Sequence, residues 1–207
     1  MIINCYGNKN STNILIQMVD DHDLEVIESE VATIESVTTD FYLITVKVNN
    51  WNHDLSPWKA DAVFWNDDFT GGASETLREI LELCSDKSKH YYISGYSLAG
   101  LFALWAVYQT DIFEGVAAAS PSVWFTGFIE YMKDTHINCN KVYMSLGDKE
   151  SKTRNPIMTT VADKIIVAHD FLKASGVDTI FEWNQGNHFK DPGIRIGKAF
   201  AWILEKA

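Results

Sequence analysis

A serine near the middle of the chain, and a carboxylate and a histidine after it, are of the types needed for nucleophilic catalysis, provided the fold brings them together. Gly95-Tyr96-Ser97-Leu98-Ala99-Gly100 matches Gly-x-Ser-x-Gly with alanine in the second glycine's place. A serine that projects from a tight strand-to-helix turn needs small neighbours two residues before and two after, because strand and helix approach closely there. Ala99 meets that need and Gly100 adds room. A Gly-x-Ser-x-Gly/Ala triplet arises by accident in about one chain in seven of this length, so its surroundings must carry the argument. The β-type run HYYIS precedes it and the apolar helical run LAGLFALWAVYQ follows at once. That strand–turn–helix context is the one the chemistry requires. The alternative is a serine in a helix-capping turn.

When the order along the chain is nucleophile, acid, histidine, both partners lie downstream of the serine. Of six histidines, only His136, His169 and His188 follow Ser97. His136 falls in a polar connection, and His169 within a helical pattern beside Asp170. His188 lies in Asn184-Gln185-Gly186-Asn187-His188-Phe189, a polar, glycine-containing stretch just past the last strand-like run. A catalytic base belongs at such a strand end, although a residue that only braces the loop would fit there too. The acid is expected after the strand at 141–146, where Gly147-Asp148-Lys149-Glu150 offers two carboxylates. It would hold the imidazole's orientation and tautomer, and stabilise the imidazolium formed as Ser97 loses its proton. Glu150 is preferred for its longer reach from three residues past Gly147. Asp148 is the alternative, and a solvated turn with no catalytic acid is the third reading.

The elements that must position these groups show as alternating apolar runs and helical patterns. Residues 13–19, 41–48, 90–94, 115–119, 142–146 and 179–183 read as strands. Residues 24–36, 98–109, 157–172 and 194–205 read as helices. Leu77, Ile80, Leu81 and Cys84 recur at i, i+3, i+4 and i+7, with Ser74 as the expected N-cap. Continuously apolar strands between helices predict an α/β fold, a mainly parallel sheet covered on both faces, with ligands at the carboxyl ends of the strands. Residues 49–72, rich in Asn, Asp and Trp, are long for a loop and so a candidate for function. No repeat or linker-like tract interrupts the chain, so one domain over 1–207 is expected.

Charge and composition narrow the partners. Asp and Glu number 28 against 17 Lys and Arg, a formal charge of −11, which argues against nucleic acid or an anionic membrane. At 46% apolar residues the chain can bury a large core, which excludes disorder. Cys5, Cys84 and Cys139 have neither metal-ligand nor redox spacing, and free thiols in a reducing cytoplasm account for them. The first residues lack a basic start and a long apolar run, so no export signal is expected. No apolar stretch is long enough to span a bilayer. A cytoplasmic protein is the expectation. The acidic run 20–23 does not read as a metal site, since four consecutive residues do not easily converge on one ion.

With these residues placed, the chain resembles the esterase D-like branch of the α/β-hydrolases, which includes siderophore esterases, feruloyl esterases and mycolyltransferases. The resemblance runs from about Ile14 to the C-terminus. It is carried by Ser94-Gly95-Tyr96-Ser97-Leu98-Ala99-Gly100-Leu101, by Ser120-Pro121-Ser122-Val123-Trp124, and by Asp54-Leu55-Ser56-Pro57-Trp58 with Gly71-Gly72 shortly after. It implies a three-layer fold and an esterase activity without cofactor or metal; no large helical insertion interrupts residues 115–145, so no substantial lid is expected. Ser97 would be the nucleophile, His188 the base and Glu150, favoured by the family's spacing, the acid. The oxyanion hole would use the N–H of Leu98 and, from the loop after the first strand, the N–H of His22. In that loop Asp21 replaces the family's glycine. Trp51, His53, Trp58, Trp65 and Trp124 are candidates to line a substrate pocket, or else to pack the long loop onto the sheet. The expected partner is a small-molecule ester. Acyl transfer with the same residues, and a non-catalytic binding domain on the same fold, are the alternatives.

Overall fold

The computed structural model describes residues 2–64 and 66–205. The chain begins with β1 (Ile2–Gly7), β2 (Asn13–Val19), α1 (Asp21–Glu25), α2 (Ile27–Glu35), β3 (Tyr42–Lys47) and α3 (Trp51–Asp54). A short antiparallel ribbon, β4 (Lys59–Ala60) and β5 (Phe69–Thr70), leads to α4 (Ala73–Glu82). Strand and helix then alternate as β6 (His90–Tyr96), α5 (Leu98–Gln109), β7 (Phe113–Ala119), α6 (Phe128–Asp134), β8 (Lys141–Gly147), α7 (Val161–Ala174), β9 (Asp178–Asn184) and α8 (Pro192–Glu205). Seven strands form one sheet in the order β1-β3-β2-β6-β7-β8-β9. All neighbours in it are parallel except β1, which runs antiparallel along β3.

Side chains alternate across the strands and so fill two separate cores. Ile14, Ile16, Ile93, Val116, Ala118, Val142 and Met144 pack with α4, α5 and α7 on one face. Leu15, Leu43, Tyr92, Tyr96, Ala117, Ala119 and Tyr143 pack with α2 and α8 on the other. The apolar helix α5 is buried along nearly its whole length, which is why its sequence lacks a polar face. In α7 the buried residues Val161, Ile165, Ala168 and Leu172 follow the helical period instead. Among the described residues no helix is long and apolar enough to cross a membrane.

The structure departs from the sequence expectations at local points. The helix expected over 24–36 is two helices, because Val26 adopts φ −109° and ψ 5° and ends α1. Ser74 sits inside the first turn of α4 and not at its cap; Gly72 is the N-cap. The turn is tied by the buried Ser56, whose hydroxyl accepts from the Gly71 N–H (2.8 Å) and whose carbonyl accepts from the Ala73 N–H (3.1 Å). β1 and α6 were not anticipated. β1 is short, exposed and antiparallel at the sheet edge, so it lacks the continuous apolar run of its neighbours. α6 spans seven residues and is the helix between β7 and β8, which leaves that connection without a bulky cover.

Candidate active site

Ser97 stands between the end of β6 and the first turn of α5 at φ 58° and ψ −119°. For a residue other than glycine this backbone costs on the order of 1–3 kcal/mol and persists only where the surroundings impose it. They do: the Ser97 N–H donates to the Ala119 carbonyl (3.1 Å), and its own carbonyl accepts from the N–H groups of Ser122 (2.9 Å) and Leu101 (3.1 Å). A side chain at Gly95 would overlap the Ala99 backbone, so with alanine at 99 the earlier position must be glycine. Ser97 Oγ lies 3.5 Å from Ser122 Oγ. Ser120 (φ 45°) and Asp191 (φ 53°) are the other non-glycine residues with positive φ among those described, and both lie at this rim of the sheet.

His188 follows β9, and its Nδ1 is 2.7 Å from Glu150 Oε2. Glu150 comes from the turn after β8, with its side chain only 1% exposed. Its other oxygen, Oε1, accepts from the Gly147 N–H (2.7 Å), Ser120 Oγ (2.7 Å) and Arg195 Nη1 (3.0 Å). Burial by itself would raise the Glu150 pKa. The hydrogen bond and charge of His188, with the bonds from Ser120 and Gly147, outweigh it and hold the carboxyl below its ordinary value. A side chain at Gly147 would crowd the Gly186 carbonyl at 2.5 Å and Glu150 Oε1 at 2.9 Å, which explains the glycine there.

Asp148 does not face the imidazole. Its Oδ1 accepts from the Gly186 N–H (2.7 Å) and so braces the loop that carries His188. Tyr96 holds the same loop from β6, donating its hydroxyl to the His188 carbonyl. Burial pushes the Tyr96 phenol up to about 12, so it stays a donor throughout the neutral range. The two rings are 5.1 Å apart. Because Tyr96 directly precedes Ser97, the end of β6 and the loop that carries His188 are joined at this rim.

The two expected oxyanion donors lie on helix first turns. Leu98 opens α5 and His22 is the second residue of α1, and amides there have no intrahelical acceptor. α1 starts at the carboxyl end of β2, which pairs with β6. The His22 side chain is exposed near Glu25. Asp20 and Asp23 form a capping box, each carboxylate accepting the other's N–H (2.9 and 3.1 Å). Burial, reinforced by Asp20, pushes the Asp23 carboxyl up to about 7.

The candidate pocket residues, four in or beside the long loop and Trp124 after β7, divide into two groups. Trp124, 6% exposed, packs against Phe64, Phe69 and Phe125, and Trp58 donates Nε1–H to the Thr126 carbonyl (2.9 Å) while touching Phe125 and Tyr131. Both help to pack the long loop onto the sheet, the alternative the sequence left open; Trp124 is buried and Trp58 half-buried. His53, exposed, shares a 2.6 Å hydrogen bond with Thr70 Oγ1. Trp51 lines a cavity of about 320 Å³ with Ile2, Asp20, Asp21, Lys47, Val48 and Asn49, beside the α1 turn. A second cavity of about 340 Å³, near His90 and Glu114, lies at the opposite, amino end of the strands. Trp65 lies outside the described residues.

Two residues of the site were not anticipated. Phe189, 85% exposed, stands edge-on to the His188 ring at 5.5 Å and offers apolar surface beside it. Arg195 is buried on α8 against Glu150; the signal in the sequence was a charge at the helical position that places it with Ala199 and Ile203 on the apolar face.

The architecture is that of the α/β-hydrolases. The protein is similar to an IroE-like serine hydrolase from Shewanella oneidensis, with a TM-score of 0.77 and 13% identity over 98% of this chain and 75% of that one. It is also similar to the enterobactin esterase FES from Shigella flexneri, with a TM-score of 0.64 and 15% identity. There it covers 99% of this chain but 56% of the esterase, so it spans about half of that relative's length. The capsule O-acetyltransferase of Neisseria meningitidis serogroup A matches at a TM-score of 0.55 and 10% identity, over 98% of this chain and 91% of that one. At identities of 10–15% these likenesses show a shared fold. No protein-family model matches the sequence, and no curated protein matches it.

Proposed function

We propose that the chain hydrolyses a small carboxylic ester through an acyl-enzyme formed on Ser97. His188 takes the Ser97 proton as Oγ attacks the ester carbonyl and returns it to the leaving alcohol. Glu150 fixes the imidazole through Nδ1, leaving Nε2 for proton transfer. The N–H groups of Leu98 and His22 bind the tetrahedral oxyanion. Water, activated by the same histidine, then releases the acid and restores the serine. No metal or cofactor takes part in this scheme. Free thiols at the buried Cys84 and Cys139 support a reducing compartment such as the cytoplasm.

The observation that carries this reading is the 2.7 Å bond between His188 Nδ1 and a buried Glu150, on a loop tied to the residue before Ser97. A fluorophosphonate probe tests it. Wild type is expected to label stoichiometrically and Ser97→Ala not at all, with turnover of short alkyl and aryl esters lost in parallel. A folded wild type that neither labels nor hydrolyses any ester of the series would make this a binding domain on a hydrolase fold. Transfer of the acyl group to an alcohol is a second reading, supported by the likeness to an O-acetyltransferase. Product analysis with competing alcohols separates the two.

A further inference from the structure

One charged side chain lies on the buried face of α8. Arg195 is 2% exposed, one and two turns before the fully buried Ala199 and Ile203. A guanidinium is retained in such a place only when its charge and its donors are met. Nη1 donates to Tyr96 OH (3.0 Å), Ser120 Oγ (3.2 Å) and Glu150 Oε1 (3.0 Å). Nη2 donates to the carbonyls of Asn187 (3.0 Å) and Gln185 (3.4 Å). These acceptors belong to the carboxyl ends of β6, β7, β8 and β9. One planar group therefore touches the residue before the nucleophile, the acid, and the backbone on the N-terminal side of the histidine.

We infer that Arg195 is a positioning residue for the His188–Glu150 pair, an inference that rests on the triad reading above. Its charge keeps Glu150 ionised beneath the imidazole, and its fork fixes the loop that presents His188. The two carboxylate oxygens divide the contacts: Oε1 is filled by Gly147, Ser120 and Arg195, so Oε2 is left to His188 alone. Beside a neutral imidazole, Arg195 is the cation in contact with Glu150. Without it, the pair would hold a proton more tightly. Tyr96, Tyr143, Glu150 and His188 are the titratable groups around the guanidinium. Lys190 against Gly186, the Glu182–Lys198 pair, and Glu30 on α2 lie on the neighbouring elements.

The test compares Arg195→Met, Arg195→Lys, Glu150→Gln and the double variant Glu150→Gln/Arg195→Met, as full chains, on a chromogenic aryl ester. Arg195→Met is expected to lower kcat about 10–100-fold with little change in KM, and to move the acid limb of kcat/KM to higher pH. Arg195→Lys keeps the charge, so the acid limb stays in place. Its kcat still falls, because an ammonium cannot span the same acceptors. In the Glu150→Gln background, Arg195→Met should cost less than about threefold, since the two act on one interaction. If Arg195→Met does not fold, the lysine variant decides. A lowered kcat that shrinks to less than about threefold when Arg195→Lys is made in the Glu150→Gln background supports the role, and a kcat within about twofold of wild type, or a loss repeated in full in that background, overturns it. A full repeat of the loss in the Glu150→Gln background, with no movement of the limb in Arg195→Met, means that Arg195 only packs. Should wild type neither label nor turn over, the triad reading falls and takes this inference with it; an active wild type with those variant results sinks the inference alone.

Discussion

Glu30 and Glu150 are both buried carboxylic acids, on opposite sides of the sheet's centre, and the fold treats them in opposite ways. Glu150 meets His188, Arg195, Ser120 and the Gly147 N–H, and its carboxyl is held below the ordinary value. Glu30, on α2 and 1% exposed, receives one hydrogen bond, from the Gln17 amide at 3.2 Å. Its other oxygen and Gln17 Oε1 have no partner among the described residues. Burial pushes Glu30 up to about 8, countered by the Gln17 bond and assisted by Asp23. Two buried carboxyls thus end as an anion in one place and a neutral acid in the other. The partners decide, because desolvation is common to both.

Four substitutions break or sharpen that contrast. Glu150→Gln keeps the shape but cannot stabilise the imidazolium, and is expected to lower kcat about 10³–10⁴-fold in steady-state ester hydrolysis. A loss under tenfold would remove Glu150 from the mechanism. Glu30→Gln should act on stability alone. Because the folded-state pKa lies above the ordinary 4.5, the wild-type contribution is present below 4.5 and is lost as pH rises towards about 8. The variant should remove most of that slope and be more stable above pH 8 by an amount on the order of a few kcal/mol. Melting temperature measured between pH 5 and 9 shows it, with a smaller slope left by Asp23. Glu150 has the opposite sign: its stabilisation is present above the ordinary value and lost as pH falls through the folded-state value.

Asp148→Ala removes the bond to the Gly186 N–H and should cost about 1–3 kcal/mol by denaturant titration, with kcat reduced less than about tenfold. If its kcat fell as far as that of Glu150→Gln, the distinction between acid and brace would fail. Gln17→Leu is the smallest step. It strips Glu30 of its donor, should cost about 1 kcal/mol, and should move the Glu30-linked transition to still higher pH.

Much of the candidate site is legible in the sequence for a local reason. The elbow 95–100 needs small residues at set offsets, and strand and helix periods repeat within ten residues, so both leave marks in a short window. His188 stands apart from His136 and His169 because it lies in a polar loop at a strand end. The choice between Asp148 and Glu150 was harder, since two residues apart on one turn they differ only in where the backbone aims them. There the structure turns Asp148 to Gly186 and Glu150 to His188. For Trp58 and Trp124 the sequence leaves pocket and packing both open, because an aromatic residue in a loop has the same type whether it meets solvent or another ring.

The amino-acid order alone specified an α/β sheet, a serine at a strand-to-helix turn, and a carboxylate and histidine following it at later strand ends, because each depends on neighbours within a few positions. Tertiary packing alone settled the strained backbone of Ser97, which is imposed by bonds from residues 119 and 122. It also settled the place of Arg195, whose acceptors Tyr96 and Ser120 lie 99 and 75 residues away. Such partners are selected by which strand ends the sheet sets side by side, and no spacing within a segment of sequence encodes that.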